Sequence, residues 1–561
     1  LSGLIGGAWA FTSPPLSSQQ SWSRGNFVPQ STASSSEVQS EINSKLSLLK
    51  SAAETKQEDS WDSTVYMGSK DNIIADILEA LERGQNIIIP CDSKEEAKDI
   101  EAKIKQTFAG QPWARGSETI DTRYGKVMKL VKGGIVNING DTSETREVKD
   151  FVRNINKAIE ELRPRVIIHT NSIGQGVSIT TPHFDHVFGL FYGVGETSDA
   201  RQQLGRVRAP IPRTVWTCYR GIIDQNTASF LPEKIKSGIQ RYNKLGINIS
   251  DFLTDIPKYE EDPQGYHLAI AQFYADIENK NGSWNNPHLD LFAKIKARRN
   301  YNISQFGLLL LHELREEGHQ VQFYDSESEN GLTEDLKEIR DERKHEESQN
   351  ISNAKKITAV EAMEIEEKIN KTERERRELE RYILSVELPG LPLTPDFIYK
   401  AILKDRRSWL NAAKLLFYCQ NMEITKHIDR QHLREKLSLF DRGVTILSDL
   451  RLFSPMAQLI NELELFDLLP FDDPDATISA RDKKVKRFMR RARMNRYRIY
   501  DAFKLTVTKK TDPIKFIARL YQRLGYKLES EQESTGKRLR RYKLKQNIKD
   551  EIYRTQVLNA L

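Results

Sequence analysis

Between Val65 and Tyr219 short apolar runs alternate with helical patterns, and this constrains the fold more than any other feature of the chain. NIIIP (86–90) precedes SKEEAKDIEAKIKQ (93–106), and GIVNING (134–140) precedes SETREVKDFVRNINKAIEEL (143–162). RVIIHT (165–170) comes next, HVFGLFYG (186–193) precedes SDARQQLGRV (198–207), and TVWTCY (214–219) follows. A helix between successive strands carries the chain back to the starting edge of a sheet, so the strands run parallel and both faces are covered. The expectation is an α/β unit over 64–225, a parallel sheet with helices on both faces. Ser93 with Glu96 has the form of a capping box, and Ser143 with Arg146 a weaker form of it.

With 561 residues the chain is too long for one core, and about three or four domains are expected. Residues 1–63, rich in Ser, Gln and Thr, read as a low-complexity flank or linker with a helix near Val38 to Ala53. Residues 226–325 read as a helical accessory region whose end, ISQFGLLLLHELREEGHQVQFY, is a buried helix, a stop at Gly318 and a short strand. The segment 326–390 is charged and helical. The charged run 326–380 reads as solvated helix, and there Thr358 and Glu361 form a capping box before a long solvated helix with Val360, Met363 and Ile369 on its inner side. LPGLPLTP (388–395) and LLPFDDPDA (468–476) are breakers around a helical domain at 391–475, leaving 476–561 as a basic domain.

No run of eighteen apolar residues exists, so no membrane partner is expected. Cys91, Cys218 and Cys419 are isolated, which argues against a zinc site or disulfide framework and for a reducing, cytoplasmic setting. His183, Asp185 and His186 are read as the lead into a buried strand, so no metal ligand is assigned among them. The net charge of +6 hides an asymmetry: residues 481–561 hold 25 Lys and Arg against 8 Asp and Glu, a balance of +17, so the other 480 sum to −11. A basic tail on an acidic body suits a polyanionic partner. Within it RDKKVKRFMRRARMNRYR (481–498) is a basic helix in which Lys486, Arg490 and Arg493 are candidate phosphate contacts, while Tyr497 and Tyr500, which could stack on bases, are assigned to core packing. A helix, a stop at Gly525 and a hairpin turning near Ser534 to Gly536 give a winged-helix outline, with Lys537, Arg538, Arg540 and Arg541 on the wing.

In a parallel sheet ligands bind beyond the carboxyl ends of the strands. HTNSIGQGVSI (169–179) follows one strand directly, and Gly174 and Gly176 leave its backbone accessible. Gln202, Gly205, Arg206 and Arg208 follow the next strand and are expected on the same edge, a donor set suited to a triphosphate or a nucleic-acid backbone.

These residues carry a resemblance. Thr170, Gly176 and Ser178 resemble motif V of superfamily 2 helicases, with Ser178 where that motif has Asp. QQLGRVR (202–208) resembles motif VI, Gln-x-x-Gly-Arg-x-x-Arg, with Ala209 at the second arginine position and an arginine at 208. NIIIPCDSKEEAKDI (86–100) resembles the opening of the second motor lobe. The longer run from Ser172 to Trp216 resembles the cyanobacterial plasmid replication protein A family, origin-binding-type helicases with a Toprim-like primase region toward the N-terminus.

The resemblance implies a RecA-like second helicase lobe over 64–225, followed by a mostly helical region and the winged-helix-like basic domain. It implies ATP and Mg2+ as cofactors, held mainly by a first lobe, and DNA as partner, at a plasmid origin or as a single strand. Arg206 and Arg208 are then catalytic, one of them the arginine finger, a role worth about 10³–10⁵ in rate. Gln202, Gly205, Gly176 and Ser178 are nucleotide-binding, and Thr170 and Asn171 contact nucleic acid. No Gly-x-x-x-x-Gly-Lys occurs in the chain, and Leu1 stands where Met would. The expectation is therefore a fragment whose first lobe and primase region lie upstream, inactive as an ATPase alone. The function implied is that of a helicase-type plasmid replication initiator. The alternatives are a non-catalytic DNA-binding protein on a degenerate lobe and a repair or restriction translocase.

Overall fold

The computed structural model describes residues 62–116, 118–122, 125–174, 176–223, 229–238, 287–326, 331–368, 371–405, 407–441, 452–471, 473, 475–532, 540–545 and 548–561. The expected flank, with its helix at 38–53, lies outside them, as do Ile369 and the hairpin turn at 534–536.

The α/β unit runs β1 (Asp62–Gly68), α1 (Asp71–Glu82), β2 (Ile87–Pro90), α2 (Lys94–Thr107), a hairpin of β3 (Glu118–Thr122) and β4 (Gly125–Lys129), and β5 (Ile135–Ile138). It continues with α3 (Arg146–Arg153), α4 (Ile155–Leu162), β6 (Val166–His169), β7 (His186–Phe191), α5 (Thr197–Leu204) and β8 (Arg213–Thr217). Seven strands form one sheet in the order β5-β6-β2-β7-β8-β1-β9, and every pairing in it is parallel. The seventh strand, β9 (Gln320–Ser326), comes after α6 (Pro287–Ser304) and α7 (Phe306–Glu316). It pairs with β1 from Asp62↔Gln320 to Gly68↔Ser326, so the sheet continues past the 64–225 segment. Gly318, at φ +87°, makes the turn between α7 and β9.

Alternate strand residues divide between two cores. Val65, Ile88, Val136, Ile167, Val187 and Val215 pack with α3, α4, α5 and α7 on one face. Ile87, Ile89, Ile135, Val166, Ile168 and Phe188 pack with α1 and α2 on the other. A strand buried on both faces reads as a continuous apolar run, which is why these segments show no polar alternation. Gly307 lets α7 settle on the sheet, since a Cβ there would lie 2.5 Å from the Cys218 carbonyl oxygen.

Ser93 caps α2 through its side chain, accepting from the Glu96 amide. The Glu96 carboxylate is spent elsewhere: it takes Lys70 at 2.6 Å and Arg340 at 3.0 Å. Ser143 does not cap α3, whose N-cap Thr145 makes no side-chain capping bond and donates its hydroxyl back to Thr142 O at 2.8 Å; the Ser143 amide instead donates to Asn139 O in the preceding turn.

α8 (Leu332–Asn353) is docked rather than solvated along its amino half. Leu336 and Ile339 join the second core, and Arg340 and Arg343 both reach the fully buried Asp99 on α2. α9 (Ala359–Glu367) starts at the Thr358/Glu361 capping box, as its sequence indicates. It turns Ala362 and Ile365 inward and leaves Val360 and Met363 exposed, because a nine-residue helix buries one narrow stripe here and that stripe is out of phase with the one expected.

After α10 (Glu373–Glu387) come α11 (Pro395–Ile398), α12 (Ser408–Gln420), α13 (Met422–Asp441) and α14 (Ser454–Glu462). The basic end comprises α15 (Lys483–Met494), α16 (Arg496–Phe503), α17 (Pro513–Arg523), the antiparallel pair β10 (Leu528–Gln532) and β11 (Arg540–Leu544), and α18 (Ile548–Ala560). Ile478 adds a third position beside β11, exchanging two 2.9 Å backbone bonds with Tyr542. Gly525, at φ +80°, ends α17. One core joins this end to α12 and α14. Among the described residues no helix is long and apolar enough to cross a membrane.

Candidate functional site

The loop after β6 is built from its own side chains. Thr170 accepts from the Ser172 amide and donates to Ser172 Oγ at 3.1 Å, which closes the 3-10 turn Asn171–Ile173. Thr170 is buried by this arrangement, whereas Asn171 is exposed. Gly174 and Gly176 hold φ of +83° and +81°, a region that disfavours any side chain, and a Cβ on either would meet nothing within 4 Å. The space above the turn is open.

α5 leaves the carboxyl end of β7 and returns across the sheet face to the start of β8. Arg206 and Arg208 therefore lie past its far end, not on the carboxyl rim where the sequence placed them. They nevertheless meet the loop. Ile179 and Val207 bridge in parallel, with Ile179 N donating to Arg206 O at 2.8 Å and Arg208 N to Ile179 O at 3.0 Å.

The two arginines differ sharply. Arg206, 6% exposed, donates from Nη1 to Val177 O at 3.2 Å and from Nη2 to Gly174 O at 2.6 Å. Burial lowers its pKa, and its cation presses on His169. That imidazole, fully buried, is pushed down to about 3 by burial and then by Arg206, so it is neutral. Arg208 is exposed and uses Nε on Ser178 Oγ at 3.2 Å; among the described residues its terminal nitrogens make no hydrogen bond. Gln202 is exposed beside it, and Gly205 is half-buried at the helix end. The neighbour Gln203 is buried, and among the described residues neither of its amide atoms is bonded. The Gln-x-x-Gly spacing singles out Gln202, and the helix phase turns that residue outward and Gln203 inward.

A cluster the sequence did not signal stands on the carboxyl rim. Lys94, Lys98 and Arg376 all reach the Asp141 carboxylate, and Arg376 also donates to Gly140 O at 3.1 Å. Burial pushes the Asp141 carboxyl up, but Lys98 and Lys94 outweigh it and hold it below its ordinary value. Lys94 and Lys98 come from α2, Asp141 from the turn after β5, and Arg376 from α10, some 235 residues away along the chain. Such separations leave no local pattern to read.

His183, Asp185 and His186 have separate partners: Pro164 O, the Asn86 amide and Thr214 Oγ1. Among the described residues no group of three His, Cys, Asp or Glu is arranged to hold a metal ion.

On the basic end Lys486 and Arg490 are exposed, and Arg493 is half-buried with Nε 3.4 Å from Thr508 O. Arg540 is exposed; Arg541 donates to Thr477 Oγ1 at 2.8 Å, beside the Ile478 bridge. Lys537 and Arg538 lie outside the described residues. Tyr497 and Tyr500 are not core residues: they are 67% and 46% exposed, because α15 and α16 bury Phe488, Met489, Ile499 and Phe503 instead.

No family model matches the chain. Over 378 residues it is 24% identical to an uncharacterized protein of Picosynechococcus sp. (strain ATCC 27264 / PCC 7002 / PR-6), a match covering 65% of this chain and 34% of that protein. The matched region spans about a third of the relative's length.

Proposed function

We propose that the α/β unit is the second, RecA-like lobe of an ATP-dependent DNA helicase of the plasmid replication-initiator type, and that the basic end is its winged-helix-like DNA-binding domain. The observation that carries the reading is the division of labour at the loop. Arg206 ties the glycine turn to the end of α5, and Arg208 stands exposed on Ser178 at its margin. In this reading Arg208 is the finger that stabilises charge on a transferring phosphate, and Arg206 positions the turn. Ser178 and the Gly176 backbone line the nucleotide side, with Gln202 and Gly205 behind them. ATP and Mg2+ are held mainly by a phosphate-loop module that these 561 residues do not contain. Ile478 ahead of three helices and the β10–β11 pair behind them, with β11 beside Ile478, supports the winged-helix assignment, and Arg540 lies along its wing.

A non-catalytic DNA-binding protein is the second reading, favoured by the inward commitment of Arg206. ATP turnover by the purified 561-residue chain, with and without DNA, tests the first. The expected result is none, and robust hydrolysis by the chain alone would sink the two-lobe proposal.

A further inference from the structure

The cations of α15 and α16 divide into two sets. Arg487 and Arg491 reach Glu464, and Arg498 reaches Glu462, so one flank fastens the helices to the end of α14. Lys486 and Arg490 meet no carboxylate among the described residues and point outward. On the same side follow Arg493, Tyr497 and Tyr500, with Lys504 just past the end of α16 at φ +56°. The steps of four, three, four and three residues keep the five helical positions within roughly 40° of one line along a helix. Asn495 interrupts the helix, yet the buried stripe of Val485, Phe488, Met489 and Ala492 continues in phase through Ile499 and Phe503. The outward stripe continues with it, from Lys486 to Tyr500, for about 21 Å at 1.5 Å per residue.

The two tyrosines are the informative part. Large aromatic rings left in solvent beside a row of cations serve a partner that offers both negative charge and flat apolar faces. The Arg496 guanidinium lies 4.4 Å from the Tyr497 ring centre and donates to its hydroxyl, and the Lys504 ammonium lies 5.7 Å from the Tyr500 ring centre. Each cation fixes a ring's orientation from one side and leaves the other side for stacking. The exposed Met494 lies between them and the arginines.

We propose that this stripe seats one nucleic-acid strand, with phosphates along Lys486, Arg490 and Arg493 and two bases stacked on Tyr497 and Tyr500. The proposal rests on the reading of the basic end as nucleic-acid-binding and names the form bound. Only unpaired bases offer free faces, so the partner is single-stranded; a duplex could use the cations but not the rings.

The test is fluorescence anisotropy of the whole chain with labelled dT15, with a 15-base-pair duplex and, by co-sedimentation, with anionic phosphatidylserine vesicles. The chain is expected to prefer dT15. Tyr497→Ala with Tyr500→Ala should weaken dT15 binding by about tenfold per ring with duplex binding unchanged, and Tyr497→Phe with Tyr500→Phe should retain it. Unchanged far-ultraviolet circular dichroism confirms that the surface changes leave the fold intact. Equal losses for dT15 and duplex, no loss for either, or a tyrosine-dependent attachment to vesicles instead would each overturn the strand seat. If the unmodified chain binds neither oligonucleotide, the nucleic-acid reading of the basic end fails as well; if it binds both and ignores the tyrosines, only the strand seat fails.

Discussion

Arg206→Ala separates the positioning role assigned to this arginine from a direct role at a phosphate. Two hydrogen bonds from a guanidinium to Gly174 O and Val177 O hold the turn. Bonds to a charged donor are worth about 1.5–3 kcal/mol each, which sets an upper range of about 3–6 kcal/mol. Two effects reduce it. Gly174 is exposed and Val177 half-buried, so water can reach the freed carbonyls. The substitution also removes a cation whose burial is itself unfavourable, as its lowered pKa indicates. A cost of roughly 2–4 kcal/mol remains. Arg208→Ala, at an exposed side chain with one bond to Ser178, should cost within about 0.5 kcal/mol. Because a chain of this size need not unfold in one step, the assay is amide hydrogen exchange of residues 171–179, supported by the first thermal transition. Arg206→Ala should speed exchange across that loop by a factor of roughly 30 or more, the equivalent of about 2 kcal/mol, and Arg208→Ala should leave it unchanged. If the two variants exchange alike, Arg206 does not hold the turn and the assignment of the two arginines is wrong.

Acid should weaken the α/β unit through its histidines. His169 is held at about 3, and His186 and His319 at about 4, each by burial first and then by a neighbouring arginine. Their folded pKa values lie below the unfolded value near 6.5, so unfolding takes up protons. The stability they contribute is complete above about pH 6.5 and falls toward pH 4, by up to about 1.4 kcal/mol per pH unit for each group. Imidazole resonances from these three that titrate between pH 8 and 5 would contradict this. Separately, DNA affinity should drop steeply with salt, the logarithmic slope reporting about 0.7 per single-strand phosphate contacted. Lys486→Ala with Arg490→Ala should reduce that slope by about 1 to 1.5, and a salt-insensitive affinity would refute phosphate binding by this face.

The parallel sheet was legible because strands buried on both faces must be apolar throughout, and Ile87–Pro90, Val166–His169 and His186–Phe191 announce that directly. The link between the loop and α5 was legible as well, because glycines at positive φ and a motif of polar residues are local signals. The exposure of Tyr497 and Tyr500 was not legible, because a sequence carries a residue's period but not the side from which the rest of the molecule approaches. The strand character of β9 is legible in its sequence, but its place beside β1 is not, since the two are joined in space across about 250 residues of chain.

The sequence by itself determined that strands and helices alternate, where α2 and α9 begin, and that the chain's positive charge collects at its end, because each of these follows from neighbours within a few residues. Only the tertiary structure decided that Arg206 turns inward while Arg208 faces solvent, that Asp141 gathers cations from α2 and α10, and that two tyrosines are left uncovered. Those outcomes depend on which surfaces meet, and burial, unlike helical period, is a property of the whole packed chain.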